Sequence, residues 1–372
     1  MNFLFLESSR SWGGQEYRTC LEVNWLNAHG HEAWFGCDPR SHVFSKAQEV
    51  GTRIVPFAMA RRFNPITSFH LWQFCRHHRI DLVKTFSSKD HWLALPLYWL
   101  GIPLTRSRCI TDPIGGANRA FVFRHGCSRI VADAPVIKRQ LVEENAIPPE
   151  KIEVIGSAVD LSRFHPNRDK QKFRSEIGIP VDAPLIVNIG MIRPDKGQLT
   201  LVEAARTVLQ QYPDARFVFV GEGTGARKLG LRLREAINRY GLSENVLMLG
   251  YRWDIPDILA ASDLVVIASI GTEASPIVLR EALACGRPLV ATRVGDIAEV
   301  IRDREHGLLV SPGSSEEMAS AIIQLIGNRE LAARWAQNGL ELARAQFSFD
   351  QMMQHKLRVD AEIARKNGMA RR

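Results

Sequence analysis

Two glutamates eight positions apart, Glu273 and Glu281, flank a helix start in the run from Thr272 to Gly286, TEASPIVLREALACG. Pro276 suits the first turn of a helix, where a missing N–H costs nothing, and Ser275 before it can cap. Ile277, Leu279 and Leu283, with the small Ala282 and Ala284, continue as a helix packed on a sheet. Glu273 therefore falls in the loop, and Glu281 lies about 1.5 turns inside the helix. The free backbone N–H groups of Ile277 and Val278 would face whatever Glu273 faces, which suits a phosphate. Carboxylates accept from sugar hydroxyls, and helix-start N–H groups hold a diphosphate; a nucleotide sugar needs both. On spacing alone, the pair could equally be solvated glutamates on a surface helix.

Three other segments carry phosphate chemistry. Residues 188–197 read NIGMIRPDKG: a strand end, a glycine, then Arg193 and Lys196 before a helix, which is good geometry for a diphosphate. Gly221-Glu222-Gly223-Thr224-Gly225-Ala226 formally fits G-x-G-x-x-A, which taken literally suggests a dinucleotide-binding oxidoreductase. It follows the second strand of its series, however, and that fingerprint belongs after the first. Nearer the start, Gly13 and Gly14 stand between a strand and a helix, where paired glycines let backbone approach a ligand. They would equally serve a tight turn that needs only positive φ.

These loops need sheets to bring them together. Short β-branched or aromatic runs alternate with longer helical periods, the pattern of α/β units on mostly parallel sheets. In the first half, strands are expected at residues 3–6, 33–35, 53–55, 82–85, 105–108, 129–132 and 152–155. A second series is expected at 185–188, 217–220, 246–249, 264–267, 289–291 and 308–310. Helical stretches include 16–29, 66–78 and 135–145. Residues 156–184, turn-rich with one short helix, read as the linker. Two helical stretches, roughly 328–346 and 348–365, end the chain.

At 372 residues, with 45% apolar and 24% charged, the chain has room for two cores. Six scattered cysteines form no C-x-x-C pair, which argues against a zinc site or a disulfide framework and fits a reducing cytosol. The start reads as a first strand rather than a signal peptide, since its apolar run ends at Glu7 without a basic n-region. The most apolar window, 92–104, is shorter than the ~20 residues needed to span a bilayer and carries two prolines, so a soluble chain is expected. The net charge of +8 favours anionic partners: nucleotide phosphates, nucleic acid or an anionic membrane surface. No basic stripe with a reading motif is present, so nucleic acid is not expected. Aromatic residues mix with basic charge at 61–63, 66–79 and 119–125, a composition that suits membrane adsorption. The same residues could be core aromatics with a solvated rim.

The run Glu273-Ala274-Ser275-Pro276, continued by Glu281-Ala282-Leu283-Ala284-Cys285-Gly286-Arg287-Pro288, resembles the E-x7-E signature of family-four retaining glycosyltransferases of GT-B architecture. The resemblance covers nearly the whole chain. It implies two Rossmann-like domains facing across a cleft: 1–165 for the acceptor, 166–345 for the nucleotide-sugar donor, and a crossover helix at 346–372 returning to the first. The implied reaction moves a sugar from a nucleotide diphosphate sugar to a glycan or glycolipid, with retention, in cell-envelope polysaccharide or lipopolysaccharide synthesis. Glu273 would contact the donor sugar and Glu281 the ribose, while Arg193 and Lys196 with residues 276–278 stabilise the leaving diphosphate. Gly13 and Gly14 match the family loop over the donor, Gly221, Glu222 and Gly223 the loop bordering the base, and Tyr251 or Arg252 would stack on it. No metal or other cofactor is implied. The place implied is the cytoplasm, with adsorption to the cytoplasmic face of the membrane left open.

The chain departs from the family at four places on the first domain's wall and one on the second. Phe86 and Cys109 stand where the family often has histidines, Ser157-Ala158 where an Asn-Gly pair is usual, and Asp133 or Ala134 where a serine is common. Met191 stands where an arginine usually follows the glycine. Such changes would either redirect acceptor or donor choice or impair catalysis. Lys89, Asp90, Asp112 and Asp133 are the polar candidates left on that wall. Two rivals therefore stay open: an epimerase or phosphorylase of the same fold, and a non-catalytic nucleotide- or glycan-binding scaffold.

Overall fold

The computed structural model describes residues 1–110, 114, 117–223, 227–271 and 273–370. Two compact units divide the chain: Met1–Gly156 with Gln351–Arg372, and Ser157–Asp350.

The first unit is a seven-stranded parallel sheet: β1 (Asn2–Glu7), β2 (Glu32–Cys37), β3 (Ile54–Pro56), β4 (Leu82–Thr85), β5 (Leu104–Arg108), β6 (Arg129–Ala132) and β7 (Ile152–Val154). Their order across the sheet is β3-β2-β1-β4-β5-β6-β7. Phe3, Leu4, Phe5 and Leu6 are all buried, because helices cover both faces of a central parallel strand. The direction of strand addition reverses between β1 and β4, so the loops leaving their C-terminal ends part to opposite faces and leave a crevice.

The second unit has six parallel strands: β8 (Leu185–Ile189), β9 (Arg216–Val220), β10 (Val246–Met248), β11 (Leu264–Ile267), β12 (Leu289–Thr292) and β13 (Leu308–Val310). Their order is β10-β9-β8-β11-β12-β13, with the reversal between β8 and β11. All thirteen expected strands form, each within one or two residues of its expected bounds. The linker's short helix is Lys170–Glu176.

The break between units falls after Gly156, nine residues before the expected 165/166 boundary. The reason lies in residues 157–165, which pack within the second unit. Val159 N–H donates to the Phe347 carbonyl, its own carbonyl accepts from Phe349 N–H, and Phe164 is buried in that unit's core. The terminal helix Phe349–Ala370 belongs to the first unit from Gln351 onward, so the helix does return to the first unit. Lys356 pairs with Glu22, and Asp360 with Lys84 at 2.5 Å, all four buried. No helix among the described residues is long and apolar enough to cross a membrane.

Candidate functional site

The loops after β8 and β11 meet at the reversal of the second sheet. The Asp195 carbonyl accepts from the N–H groups of Ile270 (2.8 Å) and Gly271 (3.1 Å), stitching the two loops together. Gly197 allows that approach: its φ is +64°, and a Cβ there would lie 1.9 Å from the Ala268 carbonyl oxygen. Lys196 is thereby brought beside Glu273. Its Nζ donates to Oε1 of Glu273 at 2.5 Å, and the Ser269 hydroxyl donates to the same oxygen. Glu273 is 8% exposed.

The backbone of Glu273 is held as firmly as its side chain. Its carbonyl accepts from Asp296 N–H at 2.8 Å, and Gly295 (φ +49°) comes so near that a Cβ would sit 2.0 Å from that oxygen. Asp296 in turn takes a 2.7 Å hydrogen bond from Arg280, whose other amino group donates to the Pro276 carbonyl at 3.3 Å. Arg280 and Asp296 are each 3% exposed or less. Arg280 sits between the two glutamates in sequence, and nothing in the spacing revealed this clamp.

The helix is Ile277–Ala284, with Pro276 at its N-cap position and no side-chain cap. The expectation that Ser275 caps it is thus corrected: its hydroxyl accepts from Ser157 N–H at 3.3 Å instead. The N–H groups of Ile277 and Val278 consequently have no hydrogen-bond partner among the described residues. Glu281 stands further along this helix, half-buried. Burial raises its pKa to about 7, with the Arg163 guanidinium opposing the rise. Arg163, which the sequence reading did not single out, also donates to the Trp253 carbonyl at 3.0 Å.

Loops after β8, β9 and β10 form the neighbouring wall. Gly190 N–H donates to the Val220 carbonyl, Ile192 N–H to the Glu222 carbonyl, and Gly221 N–H to the Gly250 carbonyl. Glu222 and Gly223 are exposed at its edge; Thr224, Gly225 and Ala226 lie outside the described residues. Arg252 is engaged by Asp254 (2.6 Å) and Glu176 (2.8 Å), which hold its pKa above the ordinary value. Tyr251, 49% exposed, meets the 45% exposed Trp253 edge-on at 5.0 Å, so these two rings, rather than the Arg252 guanidinium, stand at the surface here. Arg193 is exposed and pairs with Asp195 at 2.9 Å; Met191 is also exposed.

In the first unit, the Gly13–Gly14 loop follows β1. Gly13 is extended (φ −155°) at the N-cap, and Gly14 opens the helix Gly14–Ala28, so no positive φ explains the pair. Asp90 does not face outward. It is fully buried as the acidic half of a capping box, accepting from Ser87 N–H (3.0 Å) and Ser8 N–H (3.2 Å). Burial raises its pKa against the pull of Arg106, and Glu7 is raised by burial and by Asp90. Lys89 is exposed; Asp112 lies outside the described residues. Phe86 is buried and stacks on Phe5 at 6.1 Å. Cys109 accepts from Arg18, and burial pushes its thiol up to about 12, so it stays protonated. Asp133 is taken by Arg18 at 2.7 Å. Among the described residues, no three His, Cys, Asp or Glu side chains cluster as a metal site.

Comparison with known proteins adds identity to this geometry. Residues 12–163 match the family model for Glycosyltransferase Family 4, and residues 169–342 that for Glycosyl transferases group 1. The chain is 31% identical over 208 residues to D-inositol 3-phosphate glycosyltransferase of Segniliparus rotundus, covering 54% of this chain and 45% of that protein. It is 26% identical over 280 residues, 70% of each chain, to an Escherichia coli UDP-Gal:alpha-D-GlcNAc-diphosphoundecaprenol alpha-1,3-galactosyltransferase. The chain thus spans about half the length of the first of these relatives. Its fold matches that of HepE from Anabaena, solved with UDP, with a TM-score of 0.86 at 23% identity, covering 97% of this chain and all of that one. With both family models matched in order and the same architecture along almost its whole length, the chain belongs to the group 1, family-four glycosyltransferases of GT-B architecture.

Proposed function

We propose that this chain transfers a sugar from a nucleotide diphosphate sugar to a glycan or glycolipid acceptor, with retention at the anomeric carbon. The observation that carries the reading is the Lys196–Glu273 pair beside an uncapped helix start. Lys196 and Glu273 offset each other's charge across their hydrogen bond. A donor would divide them, its diphosphate taking Lys196 and its sugar hydroxyls taking Glu273. The N–H groups of Ile277 and Val278, with Arg193 at the rim, would stabilise negative charge growing on the leaving diphosphate, an electrostatic role that often dominates. Glu281 would hold the ribose, and Tyr251 or Trp253 the base. No metal or cofactor is invoked. Front-face attack, with the leaving phosphate helping to take the acceptor's proton, accounts for retention.

The E. coli relative's lipid-linked acceptor supports a cell-envelope role on the cytoplasmic face. Exposed Phe63, Ile66, Phe69 and Phe121, with exposed Arg61 and Arg62, support adsorption of the first unit to an anionic membrane. The test is a thermal-shift panel of nucleoside diphosphates and their sugars, UDP first, followed by transfer assays. A ligand at 100 times its Kd should stabilise the fold by about 2.7 kcal/mol. Lys196→Ala should weaken nucleoside diphosphate binding far more than nucleoside binding; equal losses would remove Lys196 from the phosphate. Sugar phosphate release, epimerised donor, or binding without any turnover would instead favour a phosphorylase, an epimerase or a scaffold.

A further inference from the structure

A pocket of about 100 Å³ lies within the first unit, beside the C-terminal ends of β4 and β5. His91, Trp92, Arg106, Arg108 and Phe123 are among its lining residues. His91 is 3% exposed, and its two ring nitrogens are in different states. Thr85 has one hydroxyl proton, which it donates to the Thr105 carbonyl at 3.0 Å. Its oxygen, 2.8 Å from Nδ1 of His91, must therefore accept. Nδ1 thus carries the imidazole proton. Burial, Arg106 and Lys151 together keep the ring neutral, with a pKa well below the ordinary 6.5. Nε2 is then a bare lone pair, buried and without a hydrogen-bond partner among the described residues. Leaving such an atom unsatisfied costs about 1–3 kcal/mol.

The surroundings limit what can satisfy it. A carboxylate or a fully ionised phosphate has no proton to offer a lone pair. A cationic donor would enter between the guanidinium groups of Arg106 and Arg108. Arg106 is itself committed inward, to the Ser87 carbonyl and to Asp90. A neutral hydroxyl fits. Phe123 lies parallel to the His91 ring at 6.5 Å, and with Trp92 it supplies apolar wall for the carbon face of a ring. The pocket's volume is several times the roughly 10–15 Å³ of such space that a single water needs.

We propose that this pocket binds one sugar ring of the acceptor, and that a hydroxyl of that ring donates its hydrogen bond to Nε2 of His91. This deepens the transferase reading and rests on it. His91 is then a binding residue for the acceptor, distinct from Lys89, Asp90 and Asp112.

Imidazole ¹⁵N NMR of the full chain, labelled at histidine, tests it directly. Methyl α-glucoside, methyl α-galactoside and methyl β-N-acetylglucosaminide are the probes, and His91→Gln assigns the resonance. The expected result is an unprotonated Nε2 whose signal moves saturably with at least one glycoside. In transfer assays, His91→Phe should raise the acceptor KM about tenfold, leave donor hydrolysis by water unchanged, and be partly rescued by His91→Gln. A proton found on Nε2, an immobile signal with all three glycosides, or equal losses of transfer and hydrolysis would each overturn the proposal. UDP binding with a silent His91 defeats this inference alone; glycoside binding at His91 with no nucleotide binding defeats the donor reading.

Discussion

Glu281 and Glu273 differ more in their surroundings than in their chemistry. Glu273 is held through one oxygen by Lys196 and Ser269, whereas no described residue hydrogen-bonds the Glu281 carboxyl. If Glu281 holds ribose, Glu281→Gln should weaken nucleoside diphosphate and complete donor alike. Glu273→Gln should spare the diphosphate and lower transfer, since its ligand contact exists only when a sugar is present. A charged hydrogen bond contributes about 1.5–3 kcal/mol, which titration and kinetics resolve. Matching profiles for the two variants would return the pair to helix surface. The raised pKa of Glu281 adds a pH signature. Its folded value, about 7, lies above its ordinary 4.5, so the folded chain binds this proton more tightly than the unfolded one. Its contribution to stability is present below about 4.5 and is lost as pH rises to 7. Ligand binding runs the other way, because ribose hydroxyls need the ionised acceptor. Nucleoside diphosphate affinity should fall by up to about tenfold per pH unit below 7, and Glu281→Gln should remove that part of the slope. An identical slope in the variant, measured by calorimetry, would exclude Glu281 from the ribose.

At the scale of elements, the site depends on how the loop before the helix Ile277–Ala284 is clamped. Arg280 ties that helix to Asp296, and Asp296 N–H holds the Glu273 carbonyl. Breaking one side of a buried pair leaves an uncompensated charge and costs about 3–5 kcal/mol. Asp296→Asn should lower the urea midpoint accordingly, and Arg280→Met with Asp296→Leu should recover much of the loss. The double variant should still bind nucleoside diphosphate less well, because restored packing does not replace the Arg280 bonds to Asp296 and the Pro276 carbonyl that orient the loop. Full recovery of both stability and affinity would show that the pair does not position the site. Gly295 belongs to the same clamp, since only a residue without Cβ can lie against the Glu273 backbone at φ +49°.

The whole molecule carries its charge unevenly. Residues 1–165 hold 20 Lys and Arg against 15 Asp and Glu, and the same segment exposes Phe63, Ile66, Phe69 and Phe121. The chain is expected to bind anionic vesicles at low salt and to release at high salt, as exposed charges become screened. Phe63→Ser with Ile66→Ser should weaken that binding without moving the melting temperature, because both side chains are more than 60% exposed. Absence of salt-sensitive binding at low ionic strength would remove the membrane from this account. The alternation of apolar runs and helical periods was enough to locate thirteen parallel strands, because burial on both faces leaves a local mark on each strand. The Glu273–Glu281 spacing and the cations before Gly197 were legible for the same reason, since loop and helix start are near neighbours in sequence. Arg280–Asp296, Ser157 on Ser275, the inward turn of Asp90 and the bare nitrogen of His91 were not legible. Each depends on a partner from a different strand or loop, and a residue's type does not state which of its possible partners will reach it. Tertiary packing decided those pairings: once a polar atom is buried, its energy depends on whether a partner happens to lie within about 3 Å.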